Sequence, residues 1–132
     1  MKKLIRTMLM LLIAALLFIT CCVSHPSPAG KATLHFHFQD ERIDEELTQE
    51  ETAEIRRIFT GHYRHFQLLS KDSCGYDEGV SIQIGDTYYC PAQDKCTGIW
   101  NSTVNMYFDL TEAQRARLEK IFEAHGGHFP CI

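Results

Sequence analysis

Apolar and polar residues follow three different rhythms along this chain. Lys2, Lys3 and Arg6 lead into an unbroken apolar run at residues 8–19. As a helix, a run of about twelve residues reaches only ~18 Å, short of the ~30 Å hydrocarbon core of a bilayer. A basic start before a short apolar segment is the pattern of an export signal, which assigns residues 1–22. The second rhythm is helical and occurs twice. Residues 47–59 read LTQEETAEIRRIF, and 63 residues later 110–122 read LTEAQRARLEKIF. Each copy opens with a capping box, Thr48 with Glu51 and Thr111 with Gln114. Ile55, Ile58 and Phe59, like Leu118, Ile121 and Phe122, then fall at the spacing of a helix buried on one face. Gly61 and Gly126-Gly127 are placed to end the two helices.

The third rhythm is strict alternation. Leu34, Phe36 and Phe38 alternate with His35 and His37, which predicts a strand with the apolar residues on one face. Residues 62–69 alternate around Phe66 and Leu68. Residues 80–84 and 87–90 flank Gly85-Asp86 and predict a hairpin with a glycine-first turn. A strand is also expected at 103–108 and a short return strand at 128–131. The acidic run at 40–46 reads as a solvated loop. Together these elements predict an α+β fold: a small, mostly antiparallel sheet with two amphipathic helices on one face, and two β-α pseudo-repeats around a central hairpin. Residues 33–132 form one domain, and the Pro/Ser-containing segment 23–32 reads as a tether.

Cysteine usage depends on the compartment that the signal implies. Cys74, Cys90, Cys96 and Cys131 lie beyond the signal, and an even count in a short exported domain predicts two disulfides. The short, turn-rich spacer favours Cys90–Cys96 with Cys74–Cys131; the alternative is Cys74–Cys96 across a hairpin base with Cys90–Cys131. No C-x-x-C pair supports a thiolate zinc site. At the end of the signal, Ile19-Thr20-Cys21-Cys22 resembles the bacterial lipobox, with Cys21 standing where a Gly or Ala is usual. The resemblance covers four residues. It implies lipidation at Cys22 and a protein held at the extracytoplasmic face of a cell membrane. Plain secretion, with cleavage after Ala29 or near the cysteine pair, is the alternative.

Charge and chemistry narrow the function classes. The chain has 13 basic and 17 acidic residues; without Lys2, Lys3 and Arg6 the remainder has 10 against 17, net −7. No Lys/Arg cluster offers phosphate neutralisation, so nucleic acid is not an expected partner. No nucleophile motif, phosphate loop or calcium pattern is present, so an enzyme is not expected. If residues 34–38 and 62–69 lay side by side, His35, His37 and His65 would share the outer sheet face, with His128 as a possible fourth ligand, a set suited to Zn²⁺ or Cu²⁺. The plainer reading makes these rings polar filling of a solvated face, with His62 and His125 at helix C-termini. Tyr88 and Trp100 are candidates for an exposed aromatic patch that meets a protein partner. The expected function is a non-enzymatic, binding or inhibitor-like module anchored at the cell envelope; the alternative is a metal-binding envelope protein using the histidine face.

Overall fold

The computed structural model describes residues 1–66 and 75–128. In chain order the elements are α1 (Lys2–Cys22), β1 (Ala32–Phe38), β2 (Glu41–Glu46), α2 (Gln49–Phe59), β3 (Ser81–Ile84), β4 (Thr87–Pro91), β5 (Gly98–Asn101), β6 (Met106–Asp109) and α3 (Glu112–Ala124). The class is α+β. One six-stranded sheet has the order β2-β1-β3-β4-β5-β6, antiparallel at every pairing. The β3–β4 hairpin sits at its centre. On either side lies another hairpin, β1–β2 and β5–β6, and each of these leads directly into a helix.

Local chemistry accounts for the turns and helix ends. Gly85 takes φ +60° at the first position of the central turn, as the sequence predicts. Gln39 and Asp40 both have positive φ (50° and 67°), the requirement of a two-residue type I′ turn, and they join β1 to β2. Both capping boxes form, on Thr48 with Glu51 and on Thr111 with Gln114. At the end of α3, Gly126 (φ +83°) and Gly127 return hydrogen bonds to Glu123 O (3.0 Å) and Phe122 O (2.8 Å), a Schellman closure.

The helices cover one face of the sheet. Leu34, Phe36, Ile82, Ile84, Tyr89, Ile99 and Phe108 form one buried cluster with Ile55, Ile58, Phe59, Leu118 and Phe122. Glu51–His125 (2.9 Å) ties the start of α2 to the end of α3 and Glu54–Arg117 (2.8 Å) joins their middles, so the helices run antiparallel. Arg115 is 6% exposed; it donates to the Asp94 carbonyl (2.7 Å) and the Cys96 carbonyl, which pins the β4–β5 loop.

Several expectations need correction. The acidic run is no loop but edge strand β2, in which only Ile43 leans toward the core. Its pairing with β1 and the I′ turn make it a strand, and its charges blunt an exposed edge. Strand β5, not anticipated, precedes β6. Of residues 62–69, Tyr63 and His65 form isolated bridges and 67–69 lie outside the described residues. His128 has no regular structure, and 129–131 lie outside the described residues. Phe38, expected inside, is 47% exposed at the last position of β1, next to the Gln39-Asp40 turn.

Residues 22–30 are no free tether either. Val23 bridges Tyr63, Ser24 N donates to His62 O (2.8 Å), and Arg64 N donates to Cys22 O (2.8 Å). The Ser24 hydroxyl is buried; it donates to Phe59 O (2.6 Å), accepts from His62 N (3.0 Å), and so caps α2. Arg56 holds the carbonyls of Ser27, Ala29 and Gly30.

Candidate functional site

With the helices on one face, the other face of the sheet is where chemistry-bearing side chains gather. Strand register lays one row across it. His35 pairs with Asp44 on one side and Ser81 on the other; Cys90 pairs with Trp100, Trp100 with Tyr107, and Tyr107 with His65. His35 is 5% exposed, and both its ring nitrogens have partners, Nδ1 also lying 3.3 Å from the Arg42 guanidinium. Nδ1 lies 2.5 Å from the Asp44 carboxylate and Nε2 lies 3.1 Å from Gln83 Oε1. Gln83 is oriented by its own amide, which donates to Gly85 O (3.0 Å). Arg42 Nε donates to the same Asp44 oxygen (3.0 Å). Hydrogen bonds from His35 and then Arg42 hold the Asp44 carboxyl below the ordinary range.

The far half of the row is aromatic. Trp100 stacks on Tyr107 (centroids 6.3 Å apart), His65 stacks on Tyr107 (6.2 Å), and Tyr76 meets both Trp100 and Tyr107. Tyr76 lies against Gly98, where a Cβ would strike its hydroxyl. Burial, with Asp109 nearby, pushes the Tyr76 phenol up to about 12. Between the two halves a cleft of about 510 Å³ crosses the face, lined by Arg42, Glu78, Asp86, Tyr88, Ser102 and Thr103. A cation, two carboxylates and two hydroxyls around an aromatic wall suit a polar ligand or the side chains of a partner surface.

The candidate metal ligands do not converge. His35, His37 and His65 do not meet as expected, because the neighbours of β1 are β2 and β3 and no crossover brings 62–66 beside it. His65 sits beyond β6, five strand spacings or ~24 Å from His35. Both ring nitrogens of His35 are engaged by neighbouring side chains, His37 packs over Gly79, and His65 Nε2 faces Asp109 (3.1 Å). Among the described residues no group of three or more His, Cys, Asp or Glu is placed to hold a metal. His62 and His125 do sit at helix ends: His62 Nε2 donates to Ile58 O (2.7 Å) and His125 caps α3.

The cysteine pairing is also corrected. Cys90 is a free, buried thiol, which rules out both Cys90–Cys96 and Cys90–Cys131. Burial pushes it up to about 12, so it is a protonated, unreactive group. No disulfide joins two described cysteines; Cys96 is disulfide-bonded, and Cys74 and Cys131 lie outside the described residues. The strand register explains why Cys90 stands apart: it faces the outer side of β4, opposite Trp100, while Cys96 belongs to the loop pinned by Arg115. Reading the sequence missed Arg42, Asp44 and Gln83 as the partners of His35, because β2 carries no apolar alternation to reveal it. Comparison with known protein families, curated proteins and solved structures finds no match for this chain.

Proposed function

We propose that this chain is an exported envelope protein, lipid-anchored at Cys22, that acts as a non-enzymatic binding module through the outer face of its sheet. The observation that carries the reading is the relation of α1 to the rest. Its apolar side chains, including Leu9, Leu12 and Phe18, are exposed, and none of them belongs to the core cluster. A helix that the fold does not use, with basic residues at its start, suits a segment handled by export machinery and then removed. Among the described residues no helix is long and apolar enough to cross a membrane. The disulfide at Cys96 suits an oxidising compartment.

The binding role rests on the contrast between the two faces of the sheet. One is sealed by α2 and α3; the other holds the cleft, with half-buried Tyr88 in its wall, and an aromatic row of half-buried Trp100 and buried Tyr107 fixed by stacking and hydrogen bonds. Pre-organised aromatic and guanidinium groups are the usual anchors of protein recognition. The reactive candidates, His35 and Cys90, are fully engaged or protonated. Two measurements test the reading. Cys22→Ser should move the protein from the membrane to the soluble extracytoplasmic fraction; a wild type that is already soluble refutes the anchor. A photo-crosslinking residue at Thr103, in the cleft, should capture a partner in cells, whereas one at Lys120, on α3, should not. Equal capture at both sites refutes the binding face.

A further inference from the structure

The site of anchorage and the fold are physically joined, and this has an orientational consequence. Cys22 is held by the backbone of Arg64, Val23 by Tyr63, and Ser24 by His62 and Phe59. No slack chain separates the acylation site from the domain. Whatever enters the bilayer at Cys22 therefore brings segment 61–66 to the headgroups with it.

The side chains found there suit that position. Outside α1, the large apolar residues exposed among the described residues are Phe38, Tyr63, Phe66 and Val104. Three of the four gather near Cys22. Tyr63 (75% exposed) is paired to Val23, and Phe66 (61%) lies two residues beyond Arg64. Val104 (49%) lines one small cavity with Ser24, His25 and Arg64. Aromatic residues with a neighbouring cation are what a membrane–water interface favours. The Arg64 guanidinium holds the Cys21 carbonyl, and its Nε is buried without a partner. Cleavage before Cys22 takes that carbonyl away and leaves the cation facing phosphate.

The charge distribution agrees. Segment 61–66 itself contains no acidic residue, and the one carboxylate bonded to it among the described residues, Asp109, is paired with His65 (3.1 Å), whereas β2 carries Glu41, Asp44, Glu45 and Glu46. β2 is the opposite edge of the sheet, six strand spacings or ~29 Å away. That separation is several times the ~8 Å Debye length, so an anionic leaflet at one edge is screened from the acidic edge at the other.

We infer that the anchored domain lies flush on an anionic bilayer through the edge formed by Tyr63, Arg64, Phe66 and Val104, with strand β2 pointing away from the membrane and the outer face of the sheet standing upright beside it. This rests on the lipid-anchor reading above. The test uses the full chain, processed in cells, purified in detergent and reconstituted into phosphatidylethanolamine/phosphatidylglycerol vesicles containing lipid brominated near the headgroup end. Trp100→Phe removes the native fluorophore, and Phe66→Trp or Phe38→Trp supplies one probe at either edge. The tryptophan at 66 should lose at least about half its emission, as expected of a side chain seated in the headgroup boundary, while that at 38 stays unquenched. Equal quenching at the two positions, or none at 66, overturns the inference. N-terminal mass analysis of the same sample separates the two claims. Acylated Cys22 without quenching at 66 refutes the orientation alone, whereas an unacylated chain that stays in solution refutes the anchor and the orientation together.

Discussion

His35 illustrates how one residue on this sheet is fixed by others far away in sequence. Its imidazole is buried between Asp44 and Gln83, with Tyr88 at 5.8 Å, and the Asp44 carboxylate is shared with Arg42. Asp44 is itself well exposed, so the contact gives a direction for pH dependence without a large energy. Its folded pKa is depressed below 3.8 by the hydrogen bond from His35 and then that from Arg42. A depressed carboxyl contributes stability that is present above its unfolded pKa and is lost as pH falls through the folded value. The thermal midpoint of the wild type should therefore fall below pH 3.8 more steeply than that of Asp44→Asn, and the two curves should run parallel at neutral pH. Identical acid slopes in scanning calorimetry would remove the contact from the account of stability.

At the level of elements, the two helices and the central turn are specified by neighbouring residues. The two helices announce themselves through caps and stripes that need only neighbouring residues, and so does the Gly85 turn. Thr48 accepts from Glu51 N while Glu51 returns a bond to Thr48 N (2.9 Å); Thr111 and Gln114 repeat the pattern (2.9 Å). Thr48→Ala and Thr111→Ala should each cost about 1 kcal/mol in urea unfolding. Glu51→Ala should cost more in the wild type than in a His125→Ala background, because Glu51 also receives His125 from the end of α3. Equal penalties in the two backgrounds would mean the inter-helix contact adds nothing.

What could not be read locally was strand partnership. β2 has a polar sequence and becomes a strand through its register against Phe36 and His37. The supposed side-by-side packing of 34–38 and 62–69 assumed a parallel crossover, whereas the chain closes every pairing antiparallel. The placement of the histidines on an outer face was legible from alternation; which edge each occupies was not, because that depends on the order of strands. The cleft was illegible for the same reason, since its walls come from β2, β4 and three turns.

On the scale of the whole molecule, if an N-terminal signal is removed as proposed, the two candidate cleavage points differ in what they take from the fold. Cleavage before Cys22 removes α1, which contributes nothing to the core, and keeps the pairing of 22–24 with 61–64. Cleavage after Ala29 strips that pairing. It leaves His62 N and Phe59 O without Ser24 and deprives Arg56 of the Ser27 and Ala29 carbonyls. Each buried group so orphaned costs about 1–3 kcal/mol, a large part of the 5–15 kcal/mol by which a typical domain is stable. Two products made by cutting a protease site inserted before Cys22 or after Ala29 put this to the test. The first should unfold at the same temperature as the full chain, and the second several degrees lower. Ser24→Ala in the longer product should reproduce part of that loss, which would assign it to the cap on α2. If the shorter product proved as stable as the longer one, the docked segment would be incidental to the fold. The domain could then stand off the membrane on a free tether, and nothing in its architecture would favour Cys22 over Ala29 as the point where the signal ends.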